Sequence, residues 1–430
     1  MHNPEVTYPS VFGIEQTPTH WQAAFDEASS WLPKEIKTAF DPIWMKASAL
    51  PFPTIKVEKW RWLDFSGMRL NEAKLWAEPQ LSLDIEHILP DEAGTDRLNP
   101  LPEGVVITRL AEALRQRPGL TSQLLQQVDG TSSDKLQTLA EALGRNGLFV
   151  FVPRGIKVDG VAIARLRGRM EPGLSLTRSL IWLEAGAELS LVLDFKTQPS
   201  AQMGLVSHLG KTDVILEDGA KLNYTDISIY QQYVINLSYS QARLQKNANL
   251  TWIYSAAATE LGKQSLEVDL VGEGAVAEVA GEYFPSEGQR ISMDTVQNHL
   301  AARTRSNLLF RGAAIGNGEA IWRGMVYVDP AAQKTDGYQS NQNLMLGERS
   351  DVKSIPGLEI CADDVSCSHG ATVGRIDETE LFYLAARGIP RVEAERLIVE
   401  GFFDEIIERI PDDKTKDDLR ERLMQKFEAS

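Results

Sequence analysis

Glu184-Ala-Gly-Ala187, Glu217-Asp-Gly-Ala220, Lys246-Asn-Ala-Asn249 and Gly272-Glu-Gly-Ala275 each stand between two short runs of alternating apolar and polar residues. Alternation of this kind marks strands, whose successive side chains point to opposite faces. The shared unit is therefore strand, turn with Gly or Asn beside Ala, strand. Its interval drifts around about thirty residues, as stacked coils with loops of variable length would allow. Such a repeat points to a parallel β-helix, in which each coil buries its inward side chains on its neighbours. A β-sandwich is the competing reading, since its strands also alternate, although it gives no reason for a repeated Gly-Ala turn.

The strand texture starts at Leu148-Phe-Val-Phe-Val-Pro153 and is helical on either side. Upstream, Trp21, Phe25, Trp31, Leu32, Ile36 and Phe40 recur at helical spacing, with Pro33 and Pro42 expected to break the pattern into short helices. Further helices are expected over 110–125 and 136–143, the latter ended by Gly144 and Gly147. Between them and the first helices, Leu50-Pro-Phe-Pro-Thr-Ile-Lys-Val-Glu-Lys-Trp-Arg-Trp62 reads as an amphipathic docking element. Downstream, helices are expected over 379–386, over 392–410 and from Asp412-Asp413 to Phe427. The second presents Ala394, Leu397, Ile398, Phe402, Ile406 and Ile410 on one face. These last helices could cap an open solenoid end, or offer Phe402 and Phe403 to a partner's groove. The expected organisation is thus 1–147 helical, 148–376 β-helix and 377–430 helical.

At 430 residues, 43% hydrophobic and 24% charged, the chain is long enough for two or three packed units. Its net charge of −16 argues against a nucleic-acid or anionic-membrane surface. Two cysteines give no disulfide framework, which suits a reducing cytoplasm. No apolar run has the length of a membrane span, and Pro4, Glu5 and Pro9 do not resemble a secretory signal.

Both cysteines, Cys361 and Cys367, fall within Leu358–Gly374, with His369 two residues beyond the second. If 365–373 is extended, Cys367 and His369 share a face, their Cα atoms about 6.5–7 Å apart. A thiolate and an imidazole so placed can share an iron or copper site with a partner's ligands, but they cannot close one alone. Packing explains a strand cysteine equally well. Three other features invite and fail functional readings. Gly204-Leu-Val-Ser-His-Leu-Gly-Lys-Thr212 has one residue too many for a phosphate loop and no helix after it. Gly272-x-Gly274 and Gly316-x-Gly318 read as turns. His208 and His299 lack acidic neighbourhoods and read as structural.

Ala362-Asp-Asp-Val-Ser-Cys-Ser-His-Gly-Ala-Thr-Val-Gly374, with Leu381-Phe-Tyr-Leu-Ala-Ala-Arg-Gly-Ile389 after it and Lys334-Thr-Asp-Gly-Tyr-Gln-Ser-Asn-Gln-Asn-Leu344 before it, resembles the C-terminal signature of the SufB/SufD family. Pro53 and Glu58-Lys-Trp-Arg-Trp62 fit the same family. That family serves the SUF iron-sulfur cluster assembly system. The resemblance implies a central right-handed parallel β-helix flanked by N-terminal and C-terminal helical regions. It also implies pairing with a SufB-like subunit through the β-helix, and binding of the SufC ATPase by the C-terminal helices. Two positions lean to the SufD branch. Ser350 stands where the SufB branch tends to have a cysteine, and His369-Gly-Ala-Thr372 replaces its His-Glu-Ala-Thr.

On this reading the chain is a non-catalytic scaffold subunit. His369 is the first metal-ligand candidate, Cys367 the second and Cys361 the third, for iron or a nascent cluster held transiently with the partner. No nucleotide is expected on this chain, and self-association is expected in isolation. Two rivals stand beside this: a subunit that only positions its partners, and a β-helix polysaccharide lyase or hydrolase using Asp363-Asp364, a pair that a turn explains as well.

Overall fold

The computed structural model describes residues 9–77, 81–90, 96–128, 132, 134–198, 204–230, 234–257 and 260–428; Pro4 and Glu5 lie outside them. The N-terminal region holds α1 (Trp21–Ser30), α2 (Lys34–Ala49), β1 (Leu75–Trp76), β2 (Leu81–Pro90), β3 (Asp96–Leu98), β4 (Val106–Arg109), α3 (Leu110–Gln116), α4 (Pro118–Val128) and α5 (Lys135–Leu143). The strands β5 (Leu148–Val152), β6 (Val161–Arg169), β7 (Gly173–Leu183), β8 (Glu188–Gln198), β9 (Val206–Leu216), β10 (Lys221–Ile229), β11 (Val234–Leu244) and β12 (Asn249–Ala257) follow. Then come β13 (Leu261–Leu270), β14 (Val276–Tyr283), β15 (Arg290–His299), β16 (Arg305–Ala314), β17 (Glu319–Val328), β18 (Asp336–Met345), β19 (Asp351–Ile360) and β20 (Ser366–Gly374). Three helices complete the chain: α6 (Glu378–Ala385), α7 (Arg391–Ile407) and α8 (Asp413–Glu428).

Odd strands from β5 to β19 form one parallel sheet and even strands from β6 to β20 a second, so consecutive strands lie in opposite sheets. The result is a two-sided solenoid of about seven coils. It is a sandwich in cross-section, but its strands run parallel, which only a coil can achieve with such short connections.

The repeated turn is a continuous spine. Gly155, Gly186, Gly219, Asn247, Gly274, Arg303 and Lys334 all have positive φ, between 53° and 74°. Each donates its N–H to the carbonyl just before its counterpart in the next coil, at 2.7–3.2 Å, the last being Lys334 to Asp364. The residue after the turn faces inward: Ala187, Ala220, Ala248 and Ala275 have no exposure. Thr304 and Thr335 take that place in the next two coils, their hydroxyls donating to the carbonyls of Ala301 and Ala332. Asp363-Asp364 is the bend of the final coil; Asp364 is ion-paired to Lys334.

Residues 1–147 are less purely helical than expected. β2 pairs antiparallel with β6, and β4 with β5. These pairings close the first coil's edges, which a parallel coil cannot do for itself. Pro42 does not break α2 but lies within it. The helix keeps its apolar face there, with Ile36, Phe40, Ile43, Trp44 and Ala47 buried, and packing outweighs one missing N–H. The N-terminal helices cover the outer face of the odd sheet around Leu176, Leu209 and Leu237. Two buried ion pairs, Arg178–Asp213 at 3.0 Å and Lys211–Glu141 at 2.7 Å, tie α5 and its sheet together. Lys211, the lysine of the false phosphate loop, is thereby used structurally inside β9. Trp60 is buried against Phe12 and Phe65, and Arg323 donates to the Glu58 carbonyl, so the 50–62 segment docks within its own chain.

The C-terminal helices neither cap the solenoid nor present Phe402 and Phe403 as expected. α7 and α8 lie on the outer face of the even sheet, with Phe403, Ile406, Ile407, Leu419 and Leu423 packed on Ile227, Ile253, Ala280 and Leu309. Phe403 is fully buried, and Phe402 is half-buried beneath the Arg311 guanidinium, 4.8 Å from its ring. The buried stripe is rotated from the one the periodicity indicates, with Val399 and Phe403 inward and Leu397 39% exposed. No helix among the described residues is long and apolar enough to cross a membrane. Phe403→Ala should lower unfolding free energy by about 3 kcal/mol through the cavity it leaves, and Phe402→Ala by clearly less; urea denaturation followed by circular dichroism measures both.

Candidate functional site

Cys361, Cys367 and His369 all belong to the final coil. Among the described residues β20 pairs on one side only, with β18, so that Gly337 lies opposite Cys367 and Gln339 opposite His369. β19 likewise pairs, among the described residues, only with β17. The register continues inward columns that run the length of the even sheet. One is Leu189, Leu222, Leu250, Ala277, Ser306, Gly337 and Cys367. Its neighbour is Leu191, Tyr224, Trp252, Val279, Leu308, Gln339 and His369. The spacing argument therefore holds: Cys367 and His369 share a face, and it is the face that earlier coils turn to the core. Here no further coil covers it, and His369 is exposed.

The interior changes character on approach to this end. Gln339 and Asn341 are buried without exposure, and Asn343 nearly so. Asn343 accepts from the Tyr283 hydroxyl at 2.6 Å and its side-chain amide donates to Asn341 Oδ1 at 2.7 Å. Ser354 of β19 donates to the same oxygen at 2.7 Å. Such a network satisfies the two asparagines where apolar packing thins out, while Gln339 donates to Gly357 O at 3.0 Å and its Oε1 has no partner among the described residues.

The cysteines differ. Cys361 is exposed, just past β19, its N–H donating to Val328 O at 2.9 Å. Cys367 is half-buried and packs on the small cluster Val326, Val328, Ala332 and Ala362. Burial raises its thiol pKa, so the protonated form is favoured at neutral pH and any metal must displace the proton. A Cβ on Gly337 would lie 3.2 Å from Cys367 Sγ and 3.3 Å from His299 Nε2, so thiol and imidazole converge on the one residue that leaves room for them. His299 is buried between the Thr304 and Ser306 hydroxyls, at 2.8 Å each, and burial lowers its pKa to about 4. His208, held by Thr177 and Asn236, is lowered to about 4 for the same reason. Both read structurally, as the sequence indicates. The approach of His299 to Cys367, some seventy residues apart, carries no sequence signal beyond the turn repeat that sets the coil register.

No group of three or more His, Cys, Asp or Glu side chains among the described residues forms a metal site. The last coil thus offers candidate ligands at an uncovered end, without enclosing an ion among the described residues.

Residues 166–402 match the family model described as "SUF system FeS cluster assembly, SufBD core domain", and 79–162 match the SufBD protein N-terminal region. The chain belongs to the SufBD family. The core match spans the solenoid from the end of β6 into α7, and the N-terminal match covers the strands that close the first coil. An iron-sulfur cluster assembly SufBD family protein of Mycobacterium tuberculosis is 28% identical over 322 residues, covering 72% of this chain and 78% of that protein. One of Staphylococcus saprophyticus is 28% identical over 312 residues, covering 72% and 66%. SufBD membership brings a role in iron-sulfur cluster assembly.

The two thiols should separate chemically. In a Cys361→Ser variant, alkylation of Cys367 by iodoacetamide should be several-fold slower than that of Cys361 in Cys367→Ser, and its rate should climb at a pH above about 8.5, the free-thiol value. Mass spectrometry of timed, quenched samples across pH measures this.

Proposed function

We propose that this chain is a SufD-type subunit of a cytoplasmic cluster-assembly scaffold, without catalysis of its own. The observation that carries the reading is the final coil. Its two edge strands each leave a row of backbone groups without a strand partner among the described residues, and the same coil bears His369 on an uncovered face. An open strand edge recruits another strand. A SufB-like subunit adding its own edge would continue both sheets and bring its ligands over His369. Iron or a nascent cluster, as cargo, would then be held between the chains with His369 as this chain's first ligand. Cys367 is the second and the exposed Cys361 the third. Ser350, whose hydroxyl donates to Gly347 O at 2.8 Å, and His369-Gly-Ala-Thr372 favour the SufD branch. Without its partner the same edges would favour pairing between two copies.

The SufC ATPase is assigned to α6 and the start of α7. Phe382 is 75% exposed and Val392 70%, with Tyr383 and Leu397 also open. Four apolar side chains on two adjoining helices fit a partner's hydrophobic groove. They replace Phe402 and Phe403, which packing inside this chain has already used.

His369→Ala should fold and pair normally, yet fail to restore cluster formation in cells that depend on this pathway. Cys367→Ser should lose less, and Ser366→Ala close to nothing. Full complementation by His369→Ala would leave a subunit that only positions its partners; loss of the complex would make His369 an interface residue. Phe382→Glu with Val392→Glu should weaken ATPase binding at least roughly tenfold while leaving the β-edge pairing intact, as co-purification and titration would measure. Unchanged ATPase affinity would remove the helices from the docking role.

A further inference from the structure

Away from the final coil, α1, β1, the start of β2 and the ends of β6 and β8 surround an open cleft of about 920 Å³. Its size falls within the range of about 300–1,000 Å³ usual for small-molecule sites. Two half-buried indoles, Trp31 and Trp76, lie in its wall with Lys74, Arg109, Arg167 and Arg169; among the described residues Glu27 is the one carboxylate of the lining. In a chain of net charge −16 this concentration of cations stands out.

The cations divide into two kinds. Arg109 is fixed by Leu81 O at 3.0 Å and Glu112 Oε1 at 2.6 Å, and Arg167 by Asp194 Oδ2 at 2.6 Å. These two build the wall. Lys74 and Arg169 are exposed, and among the described residues neither has a carboxylate partner. Lys74 instead rests over the Trp76 ring, its Nζ 3.7 Å from the centroid, while the Arg115 guanidinium lies 3.8 Å over Trp31. Each indole is thus steadied from one side by a cation. The Trp76 Nε1 is held by Pro172 O at 3.1 Å.

We propose that this cleft binds a phosphorylated small molecule carrying a planar ring, of mononucleotide class, with the ring against an indole and the phosphate on Lys74 and Arg169. Every nucleobase has a face that stacks on an aromatic side chain. Phosphate forms charge-assisted hydrogen bonds with Lys and Arg. An acidic peptide would engage the same cations but would leave two indoles without a role. The expectation that this chain holds no nucleotide rested on the missing phosphate loop, and recognition by indoles and side-chain cations requires none. The proposal is independent of the cluster-assembly reading.

The test is calorimetric titration of the full-length chain with AMP, adenosine, inorganic phosphate and a synthetic Glu-rich peptide. AMP should bind saturably, with adenosine and phosphate each at least roughly tenfold weaker, since each keeps only half of the recognition. Lys74→Gln with Arg169→Gln, both at exposed positions, should weaken AMP at least roughly tenfold, leave adenosine unchanged and abolish the salt dependence. Trp31→Leu should weaken AMP and adenosine together, with circular dichroism checking the fold; if it unfolds, the charge variants decide. Absence of saturable AMP binding, or unchanged affinity in the double charge variant, overturns the proposal. So does phosphate binding as tightly as AMP, or binding of the acidic peptide alone.

Discussion

In a parallel solenoid each strand satisfies its backbone through the coil after it, so the final coil is left with two rows of N–H and C=O groups and no successor. The start of this molecule solves the same problem internally, by laying β2 and β4 antiparallel on the first coil. Its finish does not. Since α7 and α8 turn away to cover the outer face of the even sheet, the terminal edges of β19 and β20 stay open. The inward columns end there too, and what they end on is Cys367 and His369. An uncapped end that is also polar inside, through Gln339, Asn341 and Asn343, is better suited to joining another surface than to standing alone in water.

Much of this was legible in the amino-acid order because the signals were local. Gly186-Ala187, Gly219-Ala220, Asn247-Ala248 and Gly274-Ala275 announce the spine, since glycine and asparagine tolerate the left-handed conformation that the turn demands. Two further coils were not visible, because Arg303 and Lys334 take the same conformation without the residue type that advertises it. There the hydrogen bonds of neighbouring coils hold the backbone in place. The face shared by Cys367 and His369 followed from strand alternation alone. That this face would be uncovered did not, because it depends on where the C-terminal helices go.

Where the structure departs from the local sequence signal, packing is the common cause. Pro42 was expected to break a helix, and Phe402 with Phe403 to meet a partner; in both cases tertiary packing decided. Helical periodicity identifies a stripe but fixes its centre poorly when Leu397, Ile398 and Val399 follow one another, and a sheet surface then selects which of them to bury. β2 and β4 leave no periodic signal, because a single strand added to another unit's edge has no repeat of its own. The SufBD family match and the structure meet most firmly at the solenoid, where sequence and register agree coil by coil.

The spine also sets where this chain can change length. Along it, one residue lost or gained breaks the hydrogen bond to the next coil and shifts the following strand by one place. Every side chain of that strand would then turn to the opposite face. The bends on the other margin, such as 284–289 and 315–318, lie off that spine and are joined more sparsely, by Ile315 N–H to Pro285 O at 3.2 Å and Gly288 N–H to Asn317 Oδ1 at 2.5 Å. Added length there loops outward and costs little closure entropy. Insertions that distinguish one relative from another should therefore gather on that margin, and it is the side on which a reporter or tether can be grafted without disturbing the register that delivers Cys367 and His369 to the open end.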